Sequence, residues 1–167
     1  MLTLPVIAAR PAQPYVAVPV KVRMADMVPV IDRSFATLYA WLGQKGLEPS
    51  GPAFFRYRVI DMNGLMELDL ASPVAEAVKV EDGEPVVSGM LPAGRYAEVT
   101  WTGSYQHLMD VNAVLVGWAK EKGVTWDMEN TPEGNRFTAR IEIYVNNPAE
   151  VSKPDDLVTT VAIKVAG

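Results

Sequence analysis

Hydrophobic and polar positions alternate along residues 139–145, where Ala139, Ile141, Ile143 and Val145 take turns with Arg140, Glu142 and Tyr144. A period of two predicts a strand with one apolar face. Its other face carries a carboxylate and a phenol two positions apart. They either meet water or form the polar floor of a pocket. Strand-like stretches also run over 15–22 (YVAVPVKV), 96–103 (YAEVTWTG), 54–60 (FFRYRVI), 65–71 (LMELDLA) and 157–165 (LVTTVAIKV), and the first strand extends over 136–145 (RFTARIEIYV). The Asn63-Gly64 pair, within the DMNG link between two of these, is a strong short signal for a hairpin turn.

Two other stretches step by three and four. Ile31, Phe35, Leu38 and Leu42 follow Pro29, which sits where a first-turn proline is tolerated, and Leu108, Val111, Leu115 and Trp118 form the second set. Both predict amphipathic helices. Each ends in a lysine, favourable at the negative end of the helix dipole, and then a glycine suited to a left-handed cap.

The helices repeat one another. Aligning 35–47 (FATLYAWLGQKGL) with 112–124 (NAVLVGWAKEKGV) matches Ala36 to Ala113, Leu38 to Leu115, Trp41 to Trp118, Lys45 to Lys122 and Gly46 to Gly123, every pair 77 positions apart. With their flanks, the order strand–helix–strand–strand occurs twice. Repeat one covers about 14–71, a proline- and glycine-rich connector 72–94, and repeat two about 95–167 of a single domain, 1–167. One such unit leaves a sheet edge unpaired and a sheet face bare. Two units sharing one sheet, with both helices on one side, give an α+β fold.

Composition narrows the chemistry. The 167 residues are 49% hydrophobic and 21% charged, ordinary for a compact core. A net charge of -5 and no Lys/Arg run argue against a nucleic-acid groove or an anionic membrane surface. There is no cysteine and a single histidine, His107, so thiolate metal sites are excluded and a zinc site or histidine triad is a poor prospect. No metal and no cofactor are expected. The first residues, MLTLPVIAARPAQPYVAV, lack a basic start and are interrupted by prolines, which reads as no signal peptide, and no segment is long enough to span a bilayer. Cytoplasm is the default location.

Three segments carry a resemblance to a known family. LPAGRYAEVTWTGSYQHL (91–108) resembles the opening of the second half of GyrI-like small-molecule-binding domains, also found as effector-binding domains of drug-responsive transcription activators. GPAFFRYRV (51–59) resembles that family's first-half pocket strand, and RIEIYVNNP (140–148) its Thr-Glu-Ile-Tyr signature, with Ile141 where threonine is common. The resemblance implies two βαββ repeats related by a pseudo-twofold axis in one antiparallel sheet. It implies a groove between them for aromatic, often cationic ligands, with a glutamate at its bottom. By position that glutamate is Glu142, beside Tyr144.

On its own a strand carboxylate is better read as solvent-facing. The resemblance favours the pocket, and so does the repeat. Superposing Tyr57 on Tyr144 places Phe55 opposite Glu142, so one face gathers Phe55, Tyr57, Glu142 and Tyr144. Trp101 is open between core packing and a rim contact, and Tyr105 opens the second helix within reach of the same rim. Trp41 and Trp118 read as helix-to-sheet packing. Arg140 shares the face of Glu142 and is a candidate to pair with it, whereas Arg56 points away. Glu67 and Asp69 read as a solvated strand face, His107 as exposed, and residues 75–85 as a charged connector. Eight methionines suit either a loosely specified core or an adaptable pocket.

Three functions follow in order of preference. The first is a stand-alone domain that binds aromatic or cationic small molecules, as sensor or scavenger, through Glu142, Tyr144, Phe55, Tyr57, Trp101 and Tyr105. The second is a hydrolase of strained cyclopropane-bearing toxins, an activity the resemblance implies for some relatives, with Glu142 and Tyr144 as catalytic groups. The third is the gyrase-inhibitory interaction after which the family is named. Oligomeric state is not legible.

Overall fold

A computed structural model describes residues 1–61 and 63–167. Met62, in the DMNG turn, lies outside the described residues. The elements run β1 (Val6–Arg10), β2 (Gln13–Arg23), α1 (Met27–Gln44), β3 (Phe54–Ile60), β4 (Leu65–Pro73), β5 (Val87–Leu91), β6 (Gly94–Thr102), α2 (Leu108–Glu121), β7 (Met128–Thr131), β8 (Gly134–Phe137), β9 (Arg140–Tyr144) and β10 (Val158–Lys164). Short 3₁₀ turns, Met24–Asp26 and Tyr105–His107, lead into the two helices.

The strands form one antiparallel sheet in the order β1-β6-β10-β9-β3-β4-β2-β5, with a small β7–β8 hairpin joined to β3. Repeat one supplies β3-β4-β2 and repeat two β9-β10-β6, meeting at the β3–β9 pair in the middle. Phe55 lies directly across from Glu142 in that pair. The two residues are also equivalent when Tyr57 is laid on Tyr144, so the pseudo-twofold axis passes between them. The α+β fold of two βαββ repeats, expected from the sequence, is the observed one.

Three strands were not foreseen: β7, which forms the small hairpin with β8, and the outer strands β1 and β5. β1 precedes repeat one but pairs with β6 of repeat two, and β5 precedes repeat two but pairs with β2 of repeat one. The exchange is symmetric to the residue. Val6 pairs with Glu98, and Val87 pairs with Ala17, each strand residue being 81 positions from its counterpart (87 − 6 and 98 − 17). The connector therefore does more than link: Pro11-Ala12 and Pro92-Ala93 mark two matching corners. The stretch expected as one strand over 136–145 is broken at Thr138-Ala139 into β8 and β9. Before the break, β8 pairs with β7 and with the end of β3; after it, β9 pairs with β10 and the start of β3.

Both helices cover the same sheet face. Leu38, Trp41 and Leu42 of α1 bury against Val16, while Val111 and Leu115 of α2 bury against Val99 and Val161. Each helix closes with the capping pattern its sequence suggested. Leu47 N–H reaches Leu42 O at 2.9 Å and Val124 N–H reaches Ala119 O at 2.8 Å, with Gly46 and Gly123 at φ +66 and +68°. A side chain beyond glycine is strained in that conformation. Trp41 is buried and donates its indole N–H to Glu84 of the connector.

The helix-free face has its own core of Tyr15, Ala17, Phe54, Ala71, Tyr96, Ile141 and Ala162. Asp69 belongs to this side, and the expectation of a solvated face fails there. It is 1% exposed, accepts from Tyr15 Oη at 2.7 Å and pairs with Arg58 at 2.8 Å. Alternation assigns a residue to a side of the sheet; here both sides are covered, so the side does not determine burial. Glu67, two residues before it, pairs with Lys21 nearer solvent. Arg56 turns to the helix-free face, as alternation requires, and donates to Tyr15 Oη and Thr138 O at 2.9 and 2.8 Å.

Candidate functional site

On the helix side the two helices do not close over the middle of the sheet. Each packs on the outer strands of its own repeat, α1 on β2 and β4 and α2 on β6, and a cavity of about 1160 Å³ opens above the central β3–β9 pair. That is slightly above the usual range of roughly 300–1,000 Å³ for small-molecule sites. Phe55 and Tyr57 of β3, Glu142 and Tyr144 of β9, and Tyr105 from the turn before α2 all line it. Five of the six residues singled out from sequence are thus brought together.

Trp101 is the sixth, and the structure places it elsewhere. Its ring packs with the Val99 and Val161 cluster under α2, donates to Ser104 O at 3.1 Å and meets His107 edge-on at 5.6 Å. Of its two readings, the geometry supports packing. Alternation puts Trp101 on the face of Val99, and the strand order sets β6 apart from the central pair, with β9 and β10 between it and the axis.

Glu142 is 6% exposed. Tyr144 Oη donates to its Oε1 at 2.6 Å, Tyr57 Oη to the same oxygen at 3.4 Å, and Asn112 Nδ2 to Oε2 at 3.4 Å. Desolvation pushes its proton affinity up from the ordinary value of 4.5; the Tyr144 and Asn112 hydrogen bonds and the positive charge of Arg140 oppose that rise. Burial together with the adjacent carboxylate raises the Tyr57 and Tyr144 phenols well above their usual 10.0, so both remain proton donors. The anticipated Arg140–Glu142 ion pair is not formed. Arg140 donates instead to Asn112 Oδ1 at 3.0 Å and lies 4.8 Å over the Phe137 ring.

Rings surround the carboxylate. Phe55 meets Tyr144 edge-on at 4.8 Å, and Tyr105 also meets Tyr144 edge-on, at 5.5 Å. Phe35 of α1 stacks on Phe55 at 5.9 Å and on Tyr39 at 6.0 Å, carrying the aromatic wall up to the rim. Sequence reasoning missed Phe35, Tyr39 and Asn112, and left the methionines open between core and pocket. A helix's apolar stripe looks the same over a sheet and over a cavity. Met24, Met27, Met66 and Met109, half of the eight methionines, line the space, and Met66 is at the same time part of the buried core beneath it.

This arrangement can hold a flat apolar body between rings and offer it one carboxylate in a poorly solvated setting, where charge contacts are strong. Among the described residues no group of His, Cys, Asp and Glu side chains gathers as a metal site. Among the described residues no helix is long and apolar enough to cross a membrane.

Solved structures share the architecture. The C-terminal domain of EcmrR superposes with a TM-score of 0.70 at 15% identity, covering 98% of this chain and 97% of that one. SAV2435 bound to tetraphenylphosphonium gives a TM-score of 0.61 at 10% identity, covering 99% and 95%. A hydrolase from Listeria innocua gives 0.62 at 14% identity, covering 97% and 91%. Against the EcmrR chain in its complex with DNA, this chain spans 57% of the length. Among curated proteins no sequence match is found. The family model described as GyrI-like small molecule binding domain matches residues 5–166, and the chain belongs to that family.

Proposed function

We propose that the cavity captures hydrophobic, aromatic and cationic small molecules for sensing or sequestration in the cytoplasm. Phe55, Tyr57, Tyr105 and Tyr144 provide stacking surfaces and Glu142 the charge contact. The observation that carries this reading is a carboxylate, 6% exposed and without an ion-pair partner, at the floor of a ring-lined cavity on the pseudo-twofold axis. A charge buried with hydrogen bonds but no direct ion pair still costs stability in the empty protein. An incoming cation removes that cost, which turns a structural burden into affinity. The tetraphenylphosphonium held by SAV2435, an aromatic cation on the same fold, supports the reading.

The test is a fluorescence titration with a panel of lipophilic dye cations. Saturable binding, weakened at least about tenfold by Glu142→Gln, is the expected result. Absence of binding across the panel overturns it.

A second reading is favoured by the 2.6 Å Tyr144–Glu142 contact. A carboxyl of raised proton affinity beside a phenol is equipped to move a proton, as a hydrolase of strained cyclopropane rings requires. A neighbour on the same fold is a hydrolase. Incubation with a cyclopropanoid followed by mass spectrometry tests it: ring-opened product with the native protein and none with Glu142→Gln supports catalysis, and unchanged substrate removes it.

A further inference from the structure

The cavity holds a second charge with unused bonding capacity. Arg140 stands two residues before Glu142 on the same face of β9, and both line the cavity. A guanidinium offers five N–H donors. Among the described residues Arg140 has one hydrogen-bond partner, the Asn112 side-chain oxygen. The arginines on the helix-free face differ. Arg56 reaches Tyr15, Met90 and Thr138, and Arg58 reaches Asp69 and Tyr15.

Asn112 explains why the two charges do not simply neutralise one another. Its Oδ1 takes the Arg140 donor, while its Nδ2 turns toward Glu142 and the Leu108 carbonyl. The amide stands between cation and anion and keeps both available to the cavity. For a plain lipophilic cation this is a poor match, because attraction to Glu142 is opposed by repulsion from Arg140 in the same weakly screened space. A molecule with both charges on one hydrophobic frame satisfies both groups, and a carboxylate suits the planar donor fork of arginine.

We propose that the cavity is matched to aromatic zwitterions, with the ligand's cation held by Glu142 and its carboxylate by Arg140, the two being spaced by Asn112. This rests on the capture reading above and sharpens its ligand class.

Rhodamine B, a zwitterion at neutral pH, and its ethyl ester, a cation with the same ring system, form a matched pair for the test. By fluorescence anisotropy the native protein is expected to bind rhodamine B about tenfold more tightly than the ester. Arg140→Gln should abolish that preference from both sides, weakening rhodamine B and, with the repulsion gone, tightening the ester. Arg140→Lys, which keeps the charge but loses the fork, should retain part of it. Glu142→Gln should weaken both dyes. The native-protein comparison needs no variant to fold. Equal or tighter binding of the ester overturns the zwitterion inference while leaving capture standing; failure of both dyes and of the lipophilic cation panel overturns capture and this inference together.

Discussion

Two carboxylates are buried in the same sheet, on opposite faces, and they are treated differently. Asp69 on the helix-free side is enclosed by the protein's own cations and a phenol: Arg58 pairs with it, Tyr15 donates to it, and Arg56 stands behind Tyr15. Burial and the Asp69 charge push the Tyr15 phenol up to about 12, so it stays a donor. Glu142 on the helix side is given two phenols and an amide but no ion pair, and opens onto a cavity. A charge that serves the fold is balanced within the fold. One left unbalanced at a cavity floor points to a partner from outside.

The largest expected effect breaks the balanced side. Asp69→Asn leaves two arginines facing each other across Tyr15 and should cost about 3 kcal/mol in denaturant unfolding. That is the low end for breaking a buried pair, because Arg58 partly reaches solvent. Dye affinity of the folded fraction should not change.

Glu142→Gln should act in the opposite direction. Removing a desolvated charge that makes no direct ion pair, and whose proton affinity stays raised despite Arg140, is expected to stabilise the empty protein by about 1 kcal/mol near neutral pH while it cuts cation affinity. A loss of stability as large as that of Asp69→Asn would end the contrast.

pH sharpens the same point. Because folding raises the proton affinity of Glu142, the stability it contributes is fully present below 4.5 and is lost as pH rises through the higher folded-state value. Unfolding followed from pH 4 to 7 should show this decline in the native protein and not in Glu142→Gln. Cation binding runs the other way: it requires the carboxylate, so it should weaken on acidification along a limb lying above 4.5.

The smallest effects concern the rim. Tyr105→Ala should reduce dye affinity roughly threefold through a lost ring contact. Trp101→Phe should leave it within roughly twofold, since that ring packs beneath α2. A large loss of binding with Trp101→Phe would return that residue to the site.

Much of this was legible in the chain. The 77-residue helix repeat and its flanking strands gave the two halves, and superposing Tyr57 on Tyr144 gave the central pairing, because side-chain periodicity reports directly which face a residue takes. What periodicity does not carry is what lies above a face. Asp69 was misjudged for that reason, and Phe35 and Asn112 passed as ordinary helix positions. β1 and β5 were missed because five-residue strands with exposed Val6, Ile7, Val87 and Met90, beside prolines, lack a buried stripe. Their signal lay instead in the matched Pro-Ala corners before Tyr15 and Tyr96.

The exchanged outer strands also limit how the site can adapt. Each half lends a strap to its partner, so prising the halves apart would unzip ladders at both rims of the sheet as well as the central seam. The groove cannot gape like a clam. On the capture reading proposed above, guests of different outline would be accommodated by bending thioether side chains at the walls, which would make the methionines, rather than the backbone, the elastic part of the container.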